Sequence, residues 1–236
     1  MTKTVVRKMD KTEFLDQIKG KLIVSCQALE DEPLHGSDVM AKMAIAAETG
    51  GAVAIRANGK EDIAAIQKVT NLPIIGLVKR VYDDSEVYIT PTKKEIDELL
   101  TVNVDVVAID MTNRPRPNNE SLADLMKYMK ENNQLVLADV STLDEGLEAV
   151  RLGADFISTT LSGYTNYTNS NSNGPDITLV EQLVKATDVP VLAEGRIQTP
   201  QQAKEVINKG AFSVVVGSII TRPQYITKLF ADELNN

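Results

Sequence analysis

Lys79 closes the apolar run Pro73-Ile74-Ile75-Gly76-Leu77-Val78, and Glu194 closes a second one, Val189-Pro190-Val191-Leu192-Ala193. A lysine with a buried stem and its amine at a polar mouth holds its proton less tightly, the more so beside Arg56. Such an amine suits a general base or a Schiff-base nucleophile. The plainer alternative is a lysine that snorkels to the surface or pairs with Asp139. Asp139 and Glu194 also end apolar runs, so they would position or protonate substrate oxygens, or only neutralise Lys79, Arg56 and Arg196. For Glu194 the functional reading is preferred.

Two run ends carry glycine beside a polar residue, Gly195-Arg196 and Gly217-Ser218. Glycine lets backbone N–H groups approach an anion closely, so the strand–helix–strand pattern over 189–223 reads as a phosphate cradle.

Around these residues one unit repeats: a short apolar strand, a polar residue, a loop and a helix. Strands are expected at 21–25, 52–55, 73–78, 105–109, 134–138, 155–158, 190–193 and 212–216. Helices are expected at 38–49, 60–69, 92–101, 120–130, 143–152, 177–187 and 200–209, with a closing helix from Arg222. In the first of these, Ser37 caps the start, Val39, Met43, Ala46 and Ala47 share a face, and Gly50-Gly51 ends it. Continuous apolar strands alternating with helices make a helix-covered parallel sheet, and eight units close a barrel. Similar helix-to-strand turns, such as Leu152-Gly153-Ala154-Asp155 and Lys209-Gly210-Ala211, favour a single (β/α)8 TIM barrel over 1–236 against an open doubly wound sheet.

In such a barrel the carboxyl ends of the strands form the active-site face. They present Gln27, Arg56, Lys79, Asp110, Asp139, Thr159 or Thr160, Glu194-Gly195-Arg196 and Gly217-Ser218. Residues 1–20 read as a polar lead-in with room for a short helix at 11–18. The loop 159–175 is too long and polar for a routine connection. It reads as a lid or substrate loop, with Ser162 to Thr165 nearest the rim, or as an insertion whose Asn/Ser tract is disordered.

A net charge of -8 argues against nucleic acid or an anionic membrane as the main partner and leaves a small anion open. No apolar run approaches the roughly 20 residues of a membrane span, so a cytoplasmic location is expected. One cysteine, Cys26, excludes an internal disulfide, and with one histidine, His35, there are too few ligands for a zinc site. Cys26 reads as a packing residue and His35 as a loop residue. The acceptor triplets at Asn119 and Asn166 are taken as chance matches.

Longer segments are similar to one known family. Ser25-Cys26-Gln27-Ala28, Pro33-Leu34-His35-Gly36, Ala54-Ile55-Arg56-Ala57-Asn58-Gly59, Pro73 through Lys79, Ala138-Asp139-Val140-Ser141-Thr142, Thr159 through Thr165 and Ala193-Glu194-Gly195-Arg196 resemble the N-acylglucosamine-6-phosphate 2-epimerases. The resemblance runs from about Lys21 to Pro223. It implies a TIM barrel that converts N-acetylmannosamine 6-phosphate to N-acetylglucosamine 6-phosphate without metal or organic cofactor, as a homodimer. It puts the catalytic pair on Lys79 and Glu194, substrate contacts on Gln27, Arg56, Asp139 and Thr165, and phosphate on Gly195, Arg196, Gly217 and Ser218. Two rival readings stand beside it. Another phosphosugar epimerase barrel should carry histidines and metal-binding carboxylates, which the single His35 disfavours. A catalytically silent phosphosugar sensor should have lost Lys79 or Glu194.

Overall fold

The computed structural model describes residues 8–168 and 173–235. The first seven residues of the lead-in and Asn169 to Ser172 of the Asn/Ser tract lie outside the described residues. The chain runs α1 (Lys11–Ile18), β1 (Leu22–Cys26), α2 (Ser37–Thr49), β2 (Ala54–Asn58), α3 (Lys60–Ile66), β3 (Ile74–Leu77), α4 (Lys93–Thr101) and β4 (Val106–Asp110). It continues with α5 (Leu122–Glu131), β5 (Leu135–Asp139), α6 (Leu143–Leu152), β6 (Phe156–Ser158), α7 (Ile177–Ala186), β7 (Val191–Glu194), α8 (Pro200–Asn208), β8 (Ser213–Val216), α9 (Ser218–Thr221) and α10 (Pro223–Asn235). The eight strands pair in parallel, each with the next and β8 with β1, into a closed barrel.

Strand alternation sorts the side chains into two layers. Val24, Ile55, Ile74, Val107, Val136 and Ile157 face the helices. Ile23, Ala54, Ile75, Val106, Leu137, Phe156, Leu192 and Val215 fill the interior. The same period of two carries the inward face upward from Ala54 to Arg56, from Leu137 to Asp139, from Phe156 to Ser158 and from Leu192 to Glu194. The barrel is therefore apolar at its base and polar at its mouth.

The lead-in helix α1 closes that base. Asp10 and Glu13 form a capping box, Phe14 and Ile18 are fully buried in the interior cluster, and Phe14 meets Phe156 at 5.2 Å between ring centroids. Capping boxes also start α4, α6 and α8, at Thr92, Thr142 and Thr199.

Several local expectations are corrected. The strand expected to stop at Ile55 runs on to Asn58, so Arg56 is a mid-strand residue, tolerated because buried carboxylates receive it. Gly36, not Ser37, precedes the first turn of α2, and the Ser37 hydroxyl donates to Asp62 Oδ1 at 2.7 Å. The buried face of α2 is Met40, Ala41, Ala44 and Ala47, while Ala46 is exposed. The closing helix expected from Arg222 is α10, which buries none of its residues, and a short α9 that was not expected precedes it.

Candidate active site

At the carboxyl ends of the strands lies a cavity of about 340 Å³. Its floor is a charged knot. Arg56, 1% exposed, donates through Nη1 and Nη2 to both oxygens of Asp139, at 2.9 and 2.5 Å, and through Nη1 to Glu194 Oε2 at 2.9 Å. Thr160 Oγ1 lies 2.7 Å from Asp139 Oδ1 and 3.1 Å from Glu194 Oε2. The Glu194 backbone is fixed by Thr159, whose Oγ1 donates to its carbonyl at 2.9 Å. Burial works against the Arg56 charge, but Asp139 and Glu194 outweigh it, so the guanidinium holds its proton more strongly than usual. Burial raises the Glu194 carboxyl above its ordinary value despite Arg56.

Lys79 stands above this knot. Its backbone N–H donates to Asn58 Oδ1 at 2.7 Å, which sets the direction of the chain as it leaves β3. Its ammonium has no ion pair or hydrogen bond among the described residues, and it lines the cavity. Burial first, then Arg56 and Arg222, lower its pKa to about 8, against the pull of Glu194 and Glu32. An amine so placed is partly neutral near physiological pH and can accept a proton.

The far wall comes from β7 and β8. Gly195 turns at φ +104°, a conformation that favours glycine, and exposes the backbone after Glu194. Gly217 opens α9, where an added Cβ would stand 3.2 Å from Ser25 Cβ. Arg222 completes this wall: Nη1 donates to Ser218 Oγ at 2.9 Å, while Nε and Nη2 take both oxygens of Glu32 at 2.5 and 2.8 Å. Backbone N–H groups, a hydroxyl and a guanidinium on one wall suit an anion such as phosphate. Among the described residues no group of three or more His, Cys, Asp or Glu is arranged to hold a metal ion.

A family model described as "Putative N-acetylmannosamine-6-phosphate epimerase" matches residues 40–236. A curated relative from Clostridioides difficile (strain 630), named "Putative N-acetylmannosamine-6-phosphate 2-epimerase", is 59% identical over 224 residues, 94% of this chain and 100% of that one. One of the same name from Clostridium perfringens (strain SM101 / Type A) is 57% identical over 221 residues, 94% of this chain and 100% of the relative. The chain belongs to the N-acetylmannosamine-6-phosphate 2-epimerase family. A solved structure of the N-acetylmannosamine-6-phosphate 2-epimerase from Clostridium perfringens, 57% identical, superposes with a TM-score of 0.90 over 92% of this chain and 95% of that one.

Of the residues expected in this family's site, the barrel brings Lys79, Glu194, Gln27, Arg56, Gly195, Arg196, Gly217 and Ser218 to one cavity. Asp139 lies beneath it, fully buried against Arg56. Thr165 does not line it; it is 2% exposed and bonds to Thr168 Oγ1 at 2.5 Å. The Arg196 guanidinium turns to the loop after β6, donating to the carbonyls of Gly174 at 2.9 Å and Ser162 at 2.5 Å, so its backbone, not its fork, faces the cradle. Asp110 belongs to a separate buried pair with Arg114.

Sequence reasoning passed over Arg222 and Tyr88, which both line the cavity. Pro223 right after Arg222 marks a helix start, and Arg222 was read into that helix instead of the rim. Tyr88 lies on a short return segment in which Ile89 pairs antiparallel with Lys79, a pairing too local and brief to stand out in the sequence. Cys26 is buried in the outer layer, and burial pushes its thiol up to about 12, so it is inert packing.

Proposed function

We propose that this chain is an isomerase that interconverts N-acetylmannosamine 6-phosphate and N-acetylglucosamine 6-phosphate in amino-sugar breakdown. Family membership supports the reaction. The observation that carries the chemistry is the unpaired Lys79 amine, lowered to about 8, in one cavity with Glu194 and an anion-binding wall.

The two sugars differ only in configuration at C2. When the ring opens, C1 is an aldehyde, and the C2 proton can pass to the neutral Lys79 amine. The electron pair left on C2 spreads through C1 onto O1, and return of a proton to the other face of C2 gives the epimer. Glu194, whose carboxyl pKa is raised by burial above its ordinary value, assists ring opening or the return proton. Arg56 holds Glu194 and Asp139 in register, and substrate hydroxyls meet that ordered edge. Gly195, Gly217, Ser218 and Arg222 anchor the phosphate, so remote binding energy orients C2 over Lys79. No metal or organic cofactor takes part, and activity should survive exhaustive EDTA treatment.

Epimerisation followed by proton NMR in deuterated water tests this reading. Deuterium should enter C2 during turnover, and Lys79→Ala should lose at least about 100-fold in kcat, as expected for a general base. Normal turnover by Lys79→Ala would remove the lysine from the chemistry.

The same reading places the chain, as one barrel domain, in the cytoplasm as a homodimer; no helix among the described residues is long and apolar enough to cross a membrane. For the dimer, α10 supports it by presenting Phe230 and Leu234 at 70% and 85% exposure. Sedimentation should give twice the chain mass and Phe230→Glu should halve it; a monomeric parent protein would refute the dimer.

A further inference from the structure

Most polar side chains at the mouth are already partnered within the protein. The Arg56 fork holds Asp139 and Glu194, Arg222 holds Glu32 and Ser218, and Arg196 holds two loop carbonyls. Besides Lys79, several groups lining the cavity keep unused hydrogen-bonding capacity; of these, Arg56 Nε belongs to the charged knot and the Tyr164 ring lies against Gly195 in the cradle. Gln27 Oε1 is a buried acceptor without a partner, and the Tyr88 hydroxyl makes no hydrogen bond among the described residues.

Tyr88 is held in place by its backbone: the Arg80 N–H donates to its carbonyl at 2.9 Å, and the next residue, Ile89, pairs with Lys79. Its ring packs against the interior cluster. The charged groups it feels are Asp110, Asp139, Arg114 and Arg56, on the β2, β4 and β5 side, away from the cradle on β7 and β8. Lys79 lies between, feeling Arg56 on one side and Arg222 on the other.

A sugar anchored by a phosphate on C6 sends C1 and C2 toward the Tyr88 end. An N-acylated amino sugar there differs from a plain hexose by one amide, with one N–H donor and one carbonyl acceptor. We propose that Tyr88 is a specificity-determining residue whose hydroxyl donates to the acyl carbonyl of the substrate, while Gln27 Oε1 accepts from its amide N–H. This inference rests on the proposed reaction only for the identity of the sugar. A phenol without an internal partner and an orphan acceptor that line one cavity select for an amide, because leaving either group unpaired in the complex is unfavourable.

The test is calorimetric binding on a Lys79→Ala background, which prevents turnover, with and without Tyr88→Phe. Tyr88→Phe should weaken N-acetylmannosamine 6-phosphate by about 3- to 10-fold, the range for one neutral hydrogen bond, and leave mannose 6-phosphate and inorganic phosphate unchanged. Equal losses for all three ligands, or no loss for any, would overturn the inference. So would a parent protein that binds mannose 6-phosphate as tightly as the N-acetylated sugar. If the Lys79-containing protein fails to epimerise, the proposed function falls, while the binding contrast still decides the role of Tyr88.

Discussion

The pH dependence of turnover follows from the surroundings of Lys79. Burial, then Arg56 and Arg222, bring its pKa to about 8 from the ordinary 10.5. A general base works as the neutral amine, so kcat/KM should rise with pH and level off once the amine is deprotonated. The substrate phosphate titrates near pH 6, so the informative window starts at about pH 7. With a pKa of about 8, roughly 9% of the amine is neutral at pH 7 and nearly all at pH 10, a rise of about 10-fold with a plateau above about pH 9. An ordinary lysine would give a rise of several hundred-fold over the same window and no plateau. The assay is the NMR epimerisation rate at low substrate concentration, point by point in pH. Arg222→Gln removes one of the cations that disfavour the ammonium, so its inflection should move to higher pH, while KM should rise if the proposed phosphate contact is lost. A flat profile, or a log-linear climb through pH 10, would refute the assignment of Lys79 as the base.

Two further outcomes concern the scaffold. Arg56→Met leaves Asp139 and Glu194 buried side by side without their cation, and should destabilise the protein by about 3–5 kcal/mol in urea unfolding. A loss below about 1 kcal/mol would show that the knot contributes no net stability. Phe14→Ala empties the floor of the barrel and should lower stability by about 3–5 kcal/mol in the same assay, with KM unchanged because the cavity is at the other end. A large rise in KM would mean that the floor and mouth are coupled.

The sequence misled where a polar residue was taken as punctuation. Arg56 read as the end of a strand because an isolated arginine inside a sheet is unfavourable; what permits it is a pair of carboxylates more than 80 residues away in sequence, on β5 and β7. The face of α2 came out one residue off because a helix rich in alanine and methionine lies nearly evenly around its axis. The short helix that the lead-in had room for at 11–18 is α1, but the burial of Phe14 and Ile18, a full helix turn apart, shows only in the interior cluster they join.

The chain's own order of residues determined the barrel. Eight apolar runs separated by amphipathic helices leave little choice but a closed parallel sheet, and the period of two along each strand sends Arg56, Asp139 and Glu194 to the same inner face as the core beneath them. It also determined that Lys79 and the two glycine-bearing ends share the mouth. Only the tertiary structure decided how these charges divide. Arg56 lies within hydrogen-bonding reach of both carboxylates and Lys79 is left without a partner; burial first, then Arg56 and Arg222, make its amine give up its proton more readily. The Arg196 fork goes to the loop, and Arg222, from beyond the last strand, takes its place on the wall. Pairing among buried charges depends on distances across the barrel, and no local pattern in a sequence encodes them.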